Sequence, residues 1–379
     1  MTVSRFVDLS DLPAVDGHCH PLLPDPWSVS PRTFADLFSE GRPQAMTAHV
    51  PHTGYFRRTL HDLARRLGAE PSVEAILARR VALGPEGARR AITESRIEAL
   101  LIDTGYPPQA MGLAEMRRLL PCATHEVFRI ETCAERLLAR RLPYEAFLEA
   151  FREELRAAAP RCIAFKSIIA YRSGLATRPW AREQIERAYT DVMARVQAGG
   201  SARLVEKPLL DALFQVGLEV AVDTGRPLQV HSGFGDPDID LLQSNPLLLR
   251  PVLEDPRSAP VRLVLLHLAY PYFREAAFLA AVYPQVYVDL SLAIPFLGPG
   301  VISPLTETLA LAPSSKLLYG SDVGALPELF ALSADWGRAT LGEALGWLIE
   351  RGGLSGGEGR LIGGQILSAN SKAVYGLPP

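Results

Sequence analysis

Two histidines one residue apart, His18 and His20, close the run Ala14-Val15-Asp16-Gly17-His18-Cys19-His20. On a β-strand, alternate side chains share a face. His18 and His20 therefore project into one space, with Cys19 turned the other way. Two imidazoles placed like this suit one first-row metal ion. Taken alone, the pair is also compatible with two unrelated loop histidines. Four later polar residues tip the reading toward a metal, because each ends an apolar, strand-like run. They are Lys166 after Ile163-Ala164-Phe165, His231 after Leu228-Gln229-Val230, His267 after Val264-Leu265-Leu266, and Asp322 after Leu318-Tyr319-Gly320-Ser321.

Positioning such residues needs a scaffold, and the chain repeats one unit. Strand-type runs occur at residues 14–20, 97–104, 126–132, 162–168, 228–231, 261–267, 286–289 and 317–322. Helical segments at 86–95, 110–119, 144–159, 182–198 and 208–224 fall between them. Strands without polar alternation imply burial on both faces, as in parallel sheets covered by helices. Eight of them with helical crossovers predict an α/β fold, a TIM-type (β/α)8 barrel. A doubly wound open sheet is the rival, and it calls for a glycine-rich phosphate fingerprint that this chain lacks. The first crossover is too long for a simple connection. Residues 30–92 read as a helical insertion after strand one, opened by Ser30 as cap and Pro31 in the first turn. A single domain over residues 1–379 follows, closed by helices from about 337 to 379 with 352–359 as a glycine-rich turn.

In such barrels the chemistry sits at the carboxyl ends of the strands. Glu131, Lys166, His231, His267, Asp289 and Asp322 all lie at or near those ends. Unpaired charge is costly in a core, so this many polar strand ends predict a site. Asp322 suits a metal carboxylate better than a helix cap, given the histidines. His231 reads as a ligand. His267 suits metal binding or acid/base work. Lys166 is open to three roles: binding a substrate carboxylate, pairing with a nearby acid, or carrying a carbamate between two metals. Asp289 is structural or functional with equal justice. Arg172 either clamps a substrate carboxylate bidentately or forms a rim salt bridge. Tyr171 and Tyr270 are mouth residues, and Asp236 and Asp238 shape the loop after His231. In the insertion, His49 and His52 face substrate or pack, and His61 packs.

A hydrophobic content of 48% and a charged content of 21% are those of a well-cored globule. The net charge of −3, with no basic run, argues against nucleic-acid binding. Cys19, Cys122, Cys133 and Cys162 lack CxxC spacing, so neither a disulfide framework nor a zinc ribbon is indicated. Residues 1–10 carry Arg5 and Asp8 without a following apolar h-region, so no signal peptide is expected. No 18-residue apolar run is apparent, so no membrane span is expected. A reducing, cytoplasmic setting follows. The expected partner is a small-molecule substrate, and self-association into a homo-oligomer is compatible with the class.

The order His18-x-His20, Lys166, His231, His267 and Asp322 over successive strands resembles the amidohydrolase superfamily of metal-dependent hydrolases. The resemblance covers nearly the whole chain. Its specific blocks are Phe165-Lys166-Ser167-Ile168, Gln229-Val230-His231-Ser232-Gly233, His267-Leu268-Ala269-Tyr270-Pro271, Gly320-Ser321-Asp322 and Pro327-Glu328. They are similar to the amidohydrolase-2 branch, and most of all to the amidohydrolase-like half of FluG and nodulin-like glutamine-synthetase fusion proteins. No glutamine-synthetase-like half is expected within the residues up to Gly376-Leu377-Pro378-Pro379.

The resemblance implies a divalent ion, zinc first and manganese second, held by His18, His20, His231 and Asp322. Such an ion lowers the pKa of its water toward about 7 and polarises a carbonyl. Asp322 would shuttle the proton and His267 would stabilise the oxyanion. With one ion, Lys166 and His267 either support its ligands from outside or face substrate. With two, a carboxylated Lys166 bridges them, and His231 and His267 hold the second. The expected reaction is hydrolysis of an amide, related C–N bond or ester in a small carboxylate-bearing substrate. A metal-dependent non-oxidative decarboxylase and a catalytically idle scaffold barrel are the alternatives.

Overall fold

The structure, a computed structural model, describes residues 6–378. Arg5 and Pro379, named above, lie outside them. Eight strands form one sheet in chain order. They are β1 (Ala14–Cys19), β2 (Ile97–Asp103), β3 (Ala123–Arg129), β4 (Cys162–Ser167), β5 (Leu228–Val230), β6 (Leu263–Leu265), β7 (Val286–Asp289) and β8 (Leu317–Leu318). The pairings β1–β2, β3–β4, β4–β5, β5–β6 and β6–β7 are parallel. This is the (β/α)8 barrel class. By their internal contacts the residues group into two compact units, 126–288 and the remainder.

The remainder begins with β1, every residue of which is buried. Beside it runs β2 on one side. On the other lies the β8 segment, through Gly17 N–H to Tyr319 O at 2.9 Å and His20 N–H to Val323 O at 2.8 Å. Between β1 and β2 come the helices Pro31–Asp36, Gly54–Leu67 and Val73–Glu94, with a short Pro43–Met46 turn. Ser30, Thr53 and Ser72 cap the three longer ones by accepting the backbone N–H three residues on. Phe34, Phe38, Tyr55 and Phe56 give this insertion its own aromatic core, with Phe38 edge-on to the other three at 5.0–5.6 Å. Arg80 is buried here and donates from Nη2 to Glu328 Oε2 at 3.0 Å and to Pro26 O at 2.9 Å.

The C-terminal helices differ from expectation. One helix runs Pro327–Glu350, beginning ten residues earlier than the sequence suggests. Pro327 occupies its first turn, where a missing N–H costs nothing. The expected turn at 352–359 is instead cut short by the helix Gly356–Gly364, where Ser355 and Glu358 cap each other reciprocally. Contrary to the expectation of no long apolar run, Ala293–Leu311 is long and apolar enough to cross a membrane by length and hydropathy alone. It is broken into Ala293–Leu297, Gly298–Val301 and Ile302–Leu311. Arg58 Nη2 donates to the carbonyls of Ile294 and Pro295 within it, and 44% of it is buried inside the protein.

In the unit spanning 126–288, the helices Tyr144–Ala158, Arg182–Gln197, Lys207–Thr224 and Phe273–Val282 alternate with β4 to β7. Phe147, Phe151, Phe165 and Phe214 are fully buried. The third strand stops at Arg129 rather than reaching 132, and the helix Ile130–Leu137 takes over. The buried positions Ile130, Cys133, Ala134 and Leu137 have the i, i+3, i+4, i+7 spacing of a helix face.

All four cysteines are free thiols. Burial pushes Cys122 and Cys162 up to about 12 and Cys133 up to about 11, and holds Cys19 well above its usual value. Since the thiolate is the nucleophile, the folded protein is expected to resist alkylation by iodoacetamide at pH 7 and to label at all four positions only on unfolding. Rapid labelling of any thiol in the native state contradicts this.

Candidate metal centre

The strand alternation of β1 puts Asp16, His18 and His20 on one side. Cys19 faces away and donates from Sγ to Leu101 O. His18 is fully buried and His20 is partly exposed, its side chain at 19%. The Nδ1 of His20 faces the Tyr106 carbonyl at 3.2 Å. A carbonyl only accepts, so Nδ1 carries the proton and Nε2 is left bare. Both imidazoles point Nε2 at one atom. Asp322 Oδ1 is 2.9 Å from His18 Nε2 and 3.3 Å from His20 Nε2. That is the spacing of neighbouring ligand atoms around one ion with bonds of about 2.0–2.2 Å.

Asp322 reaches this place because its backbone sits at a φ of 62°. Its N–H donates to His18 O at 2.8 Å, so the carboxylate is registered on the same strand as the histidines. Two imidazole nitrogens and one carboxylate oxygen, largely buried, form a donor set that fits zinc or manganese. The helix-cap alternative for Asp322 is not what the structure adopts, since the next helix starts at Pro327 with Leu326 at its cap.

One layer below, Asp16 Oδ1 accepts the Ser321 N–H at 2.9 Å. Burial pushes its carboxyl up to about 8, aided by the charge of Asp289. Asp289, structural or functional on sequence grounds, is buried and takes the Ser291 N–H at 2.9 Å. Gly320 must be glycine here, because a Cβ would stand 2.2 Å from Asp289 Oδ2.

Within the unit 126–288, a second group assembles. His231 and His267 are buried, with His267 Nε2 2.9 Å from His231 Nδ1. The other nitrogen of His231 meets the Phe234 carbonyl at 3.1 Å, so Nε2 carries the proton and Nδ1 is the bare one. The Tyr171 ring lies against His231 at 4.2 Å between centroids, and its hydroxyl accepts the Asp236 N–H at 3.3 Å. His267, Leu268 and Ala269 all have positive φ, of 66°, 55° and 47°. Gly233 supports this left-handed turn, since a Cβ there would stand 2.3 Å from Tyr270 O. Lys166 is buried on β4, in register with Gln229.

Arg172 forms an ion pair with Glu135 at 3.2 Å, its side chain 8% exposed. Its Nε and Nη1 have no hydrogen-bond partner. Of the two sequence alternatives for Arg172, the salt bridge is the one the structure contains. Glu131 is not a strand-end acid. From the helix Ile130–Leu137 it accepts the Ser167 hydroxyl at 2.5 Å, bracing the turn after β4. Asp238 pairs with Arg203 at 3.0 Å on the surface. Of the insertion histidines, His52 Nδ1 lies 3.4 Å from Arg57 Nη2 on the surface. The sequence reading passed over Asp103, the last residue of β2, whose carboxylate lies with His18 and His20. Its signal was the one used elsewhere, a carboxylate ending an apolar strand, obscured by the turn-like Asp103-Thr104-Gly105.

The profile of the amidohydrolase family matches residues 171–347. The crystal structure of a candidate metal-dependent hydrolase from Lactobacillus casei superposes with a TM-score of 0.87 at 27% identity, covering 98% of each chain. A uronate isomerase from Thermotoga maritima shares the fold, with a TM-score of 0.68 at 14% identity over 98% of each chain. Residues 171–347 carry the amidohydrolase profile, and over nearly its whole length the chain is similar to metal-dependent enzymes of that superfamily. Within it the chain is similar to the protein FluG of Emericella nidulans, at 30% identity over 96% of its own length. It spans about half of FluG, 46%.

Proposed function

We propose that the protein is a metal-dependent hydrolase that cleaves an amide, related C–N bond or ester of a small carboxylate-bearing substrate. The observation that carries this reading is the convergence of His18 Nε2 and His20 Nε2 on Asp322 Oδ1. A divalent ion, zinc or manganese, supplies Lewis acidity and a nucleophile from water when bound. Asp322 holds the proton released from water at a carboxylate oxygen and passes it to the leaving group. His267 stabilises the charge that develops on the carbonyl oxygen. Arg172 binds the substrate carboxylate through Nε and Nη1, and Tyr171 lines the approach. In this reading Lys166, His231 and His267 are further metal ligands, with Lys166 carboxylated if two ions are held. A reducing, cytoplasmic setting belongs to this reading, supported by the four free thiols.

The test is a metal-reconstituted screen of amides, γ-glutamyl compounds, lactones and aromatic acids in 18O-labelled water, with metal content measured in parallel. Label in the carboxyl product supports hydrolysis. Release of carbon dioxide without label overturns it in favour of decarboxylation. A protein that takes up no ion under metal-replete conditions overturns it in favour of a scaffold role.

A further inference from the structure

Asp103 ends β2 and is used by none of the roles assigned above. Its side chain is fully buried. The β1–β2 ladder pairs Cys19 with Ile102, so the next step along both chains sets His20 beside Asp103. Neighbours at one register of a parallel pair project to the same face of the sheet. The Gly105 N–H donates to Asp103 Oδ1 at 3.0 Å, which orients the carboxylate. One carboxylate oxygen of Asp103 and one ring nitrogen each from His18 and His20 all lie within 4.8 Å of one another. Opposed ligands of one first-row ion, with bonds of about 2.0–2.2 Å, stand up to about 4.4 Å apart.

We propose that Asp103 is a further ligand of the ion held by His18, His20 and Asp322, a carboxylate supplied by the strand on the far side of β1 from Asp322. This rests on the metal-centre reading and deepens it. A second carboxylate makes the donor set harder than histidines with one aspartate would be. Carboxylate-rich sets favour manganese, and histidine-rich ones suit zinc. The centre is accordingly tuned toward manganese, and Asp103 is the residue that tunes it.

The experiment compares wild-type protein with Asp103→Asn, which keeps the size of the side chain and the oxygen that accepts from Gly105. Apoprotein melting temperatures establish that the variant folds. Manganese and zinc affinities are then measured by competition with a chelator, and the Co2+-loaded forms by visible absorption. Loss of even an outer-sphere partner costs about 10–100-fold in affinity, so affinity alone is not diagnostic and the spectrum decides. The expected result is a manganese affinity reduced at least about 100-fold, a smaller loss for zinc, and stronger Co2+ d–d bands from a lower coordination number. An unchanged Co2+ spectrum, or a manganese loss below about 10-fold, overturns the proposal. If Asp103→Asn does not fold, a crystal structure of Co2+-loaded wild type decides instead. An Asp103 oxygen at bonding distance supports the proposal, and one outside the coordination sphere overturns it. Wild-type protein that binds no Co2+ overturns the metal-centre reading itself, a result distinct from failure at Asp103.

Discussion

Asp322→Asn is expected to remove turnover while leaving the fold in place, or slightly firmer. The carboxylate is the atom group on which both β1 histidines converge, at 2.9 and 3.3 Å. A positioned proton acceptor contributes about 10²–10⁴-fold to rate, and loss of a ligand adds to that through metal affinity. The expected drop in kcat/KM is therefore at least about 10³-fold. Stability should move the other way. The residue is held at a φ of 62°, a region that asparagine tolerates well. The amide also removes a charge from a largely desolvated place. Metal-free Asp322→Asn is thus expected to melt no lower than metal-free wild type. Metal-replete wild type should melt above both, because an ion that binds only the native state stabilises it by mass action. Retained turnover in Asp322→Asn, with ion content equal to wild type, would remove this residue from the mechanism.

Arg80→Met is expected to cost about 3–5 kcal/mol of unfolding free energy, as when one partner of a buried ion pair is removed. Arg80 and Glu328 meet at 3.0 Å with side chains 0% and 3% exposed, so Glu328 would be left charged and desolvated. The first turn of the helix Pro327–Glu350 offsets part of that cost through its backbone N–H groups. Two of the donors on Arg80, Nε and Nη1, have no hydrogen-bond partner, so the pair itself contributes little net stability. The second substitution Glu328→Leu in the Arg80→Met background should therefore restore most of the loss. Urea unfolding of wild type, both single variants and the double variant closes the cycle. If the double variant is as unstable as the sum of the singles, the ion-pair account fails.

Much of the barrel was legible because strands covered on both faces carry no polar alternation, and the eight runs stood out as apolar blocks. Their lengths were less legible. Leu317–Leu318 and Leu263–Leu265 form regular strand over only two or three residues. The chain then leaves the ladder to aim Asp322 and His267. The boundary at Ile130 was misplaced because Val127-Phe128-Arg129-Ile130 suits a strand locally, and only the spacing out to Leu137 reveals the helix. The histidines of β1 were legible from a period of two. Asp103 was not, because Asp-Thr-Gly also spells a turn, and both descriptions hold: the residue ends a strand and accepts the N–H of Gly105. The half-committed state of Arg172, paired with Glu135 yet retaining two donors, depends on a contact 37 residues away that no local pattern encodes.

The left-handed backbone at Asp322, and separately through His267, Leu268 and Ala269, bears on any effort to improve this protein for use. Residues forced into that region cost about 1–3 kcal/mol each. A stabilisation campaign scored on melting temperature would therefore reward glycine or asparagine at these positions first. The hardiest variants from such a campaign would be enriched in inactive ones, so selection has to be run on turnover and heat resistance together.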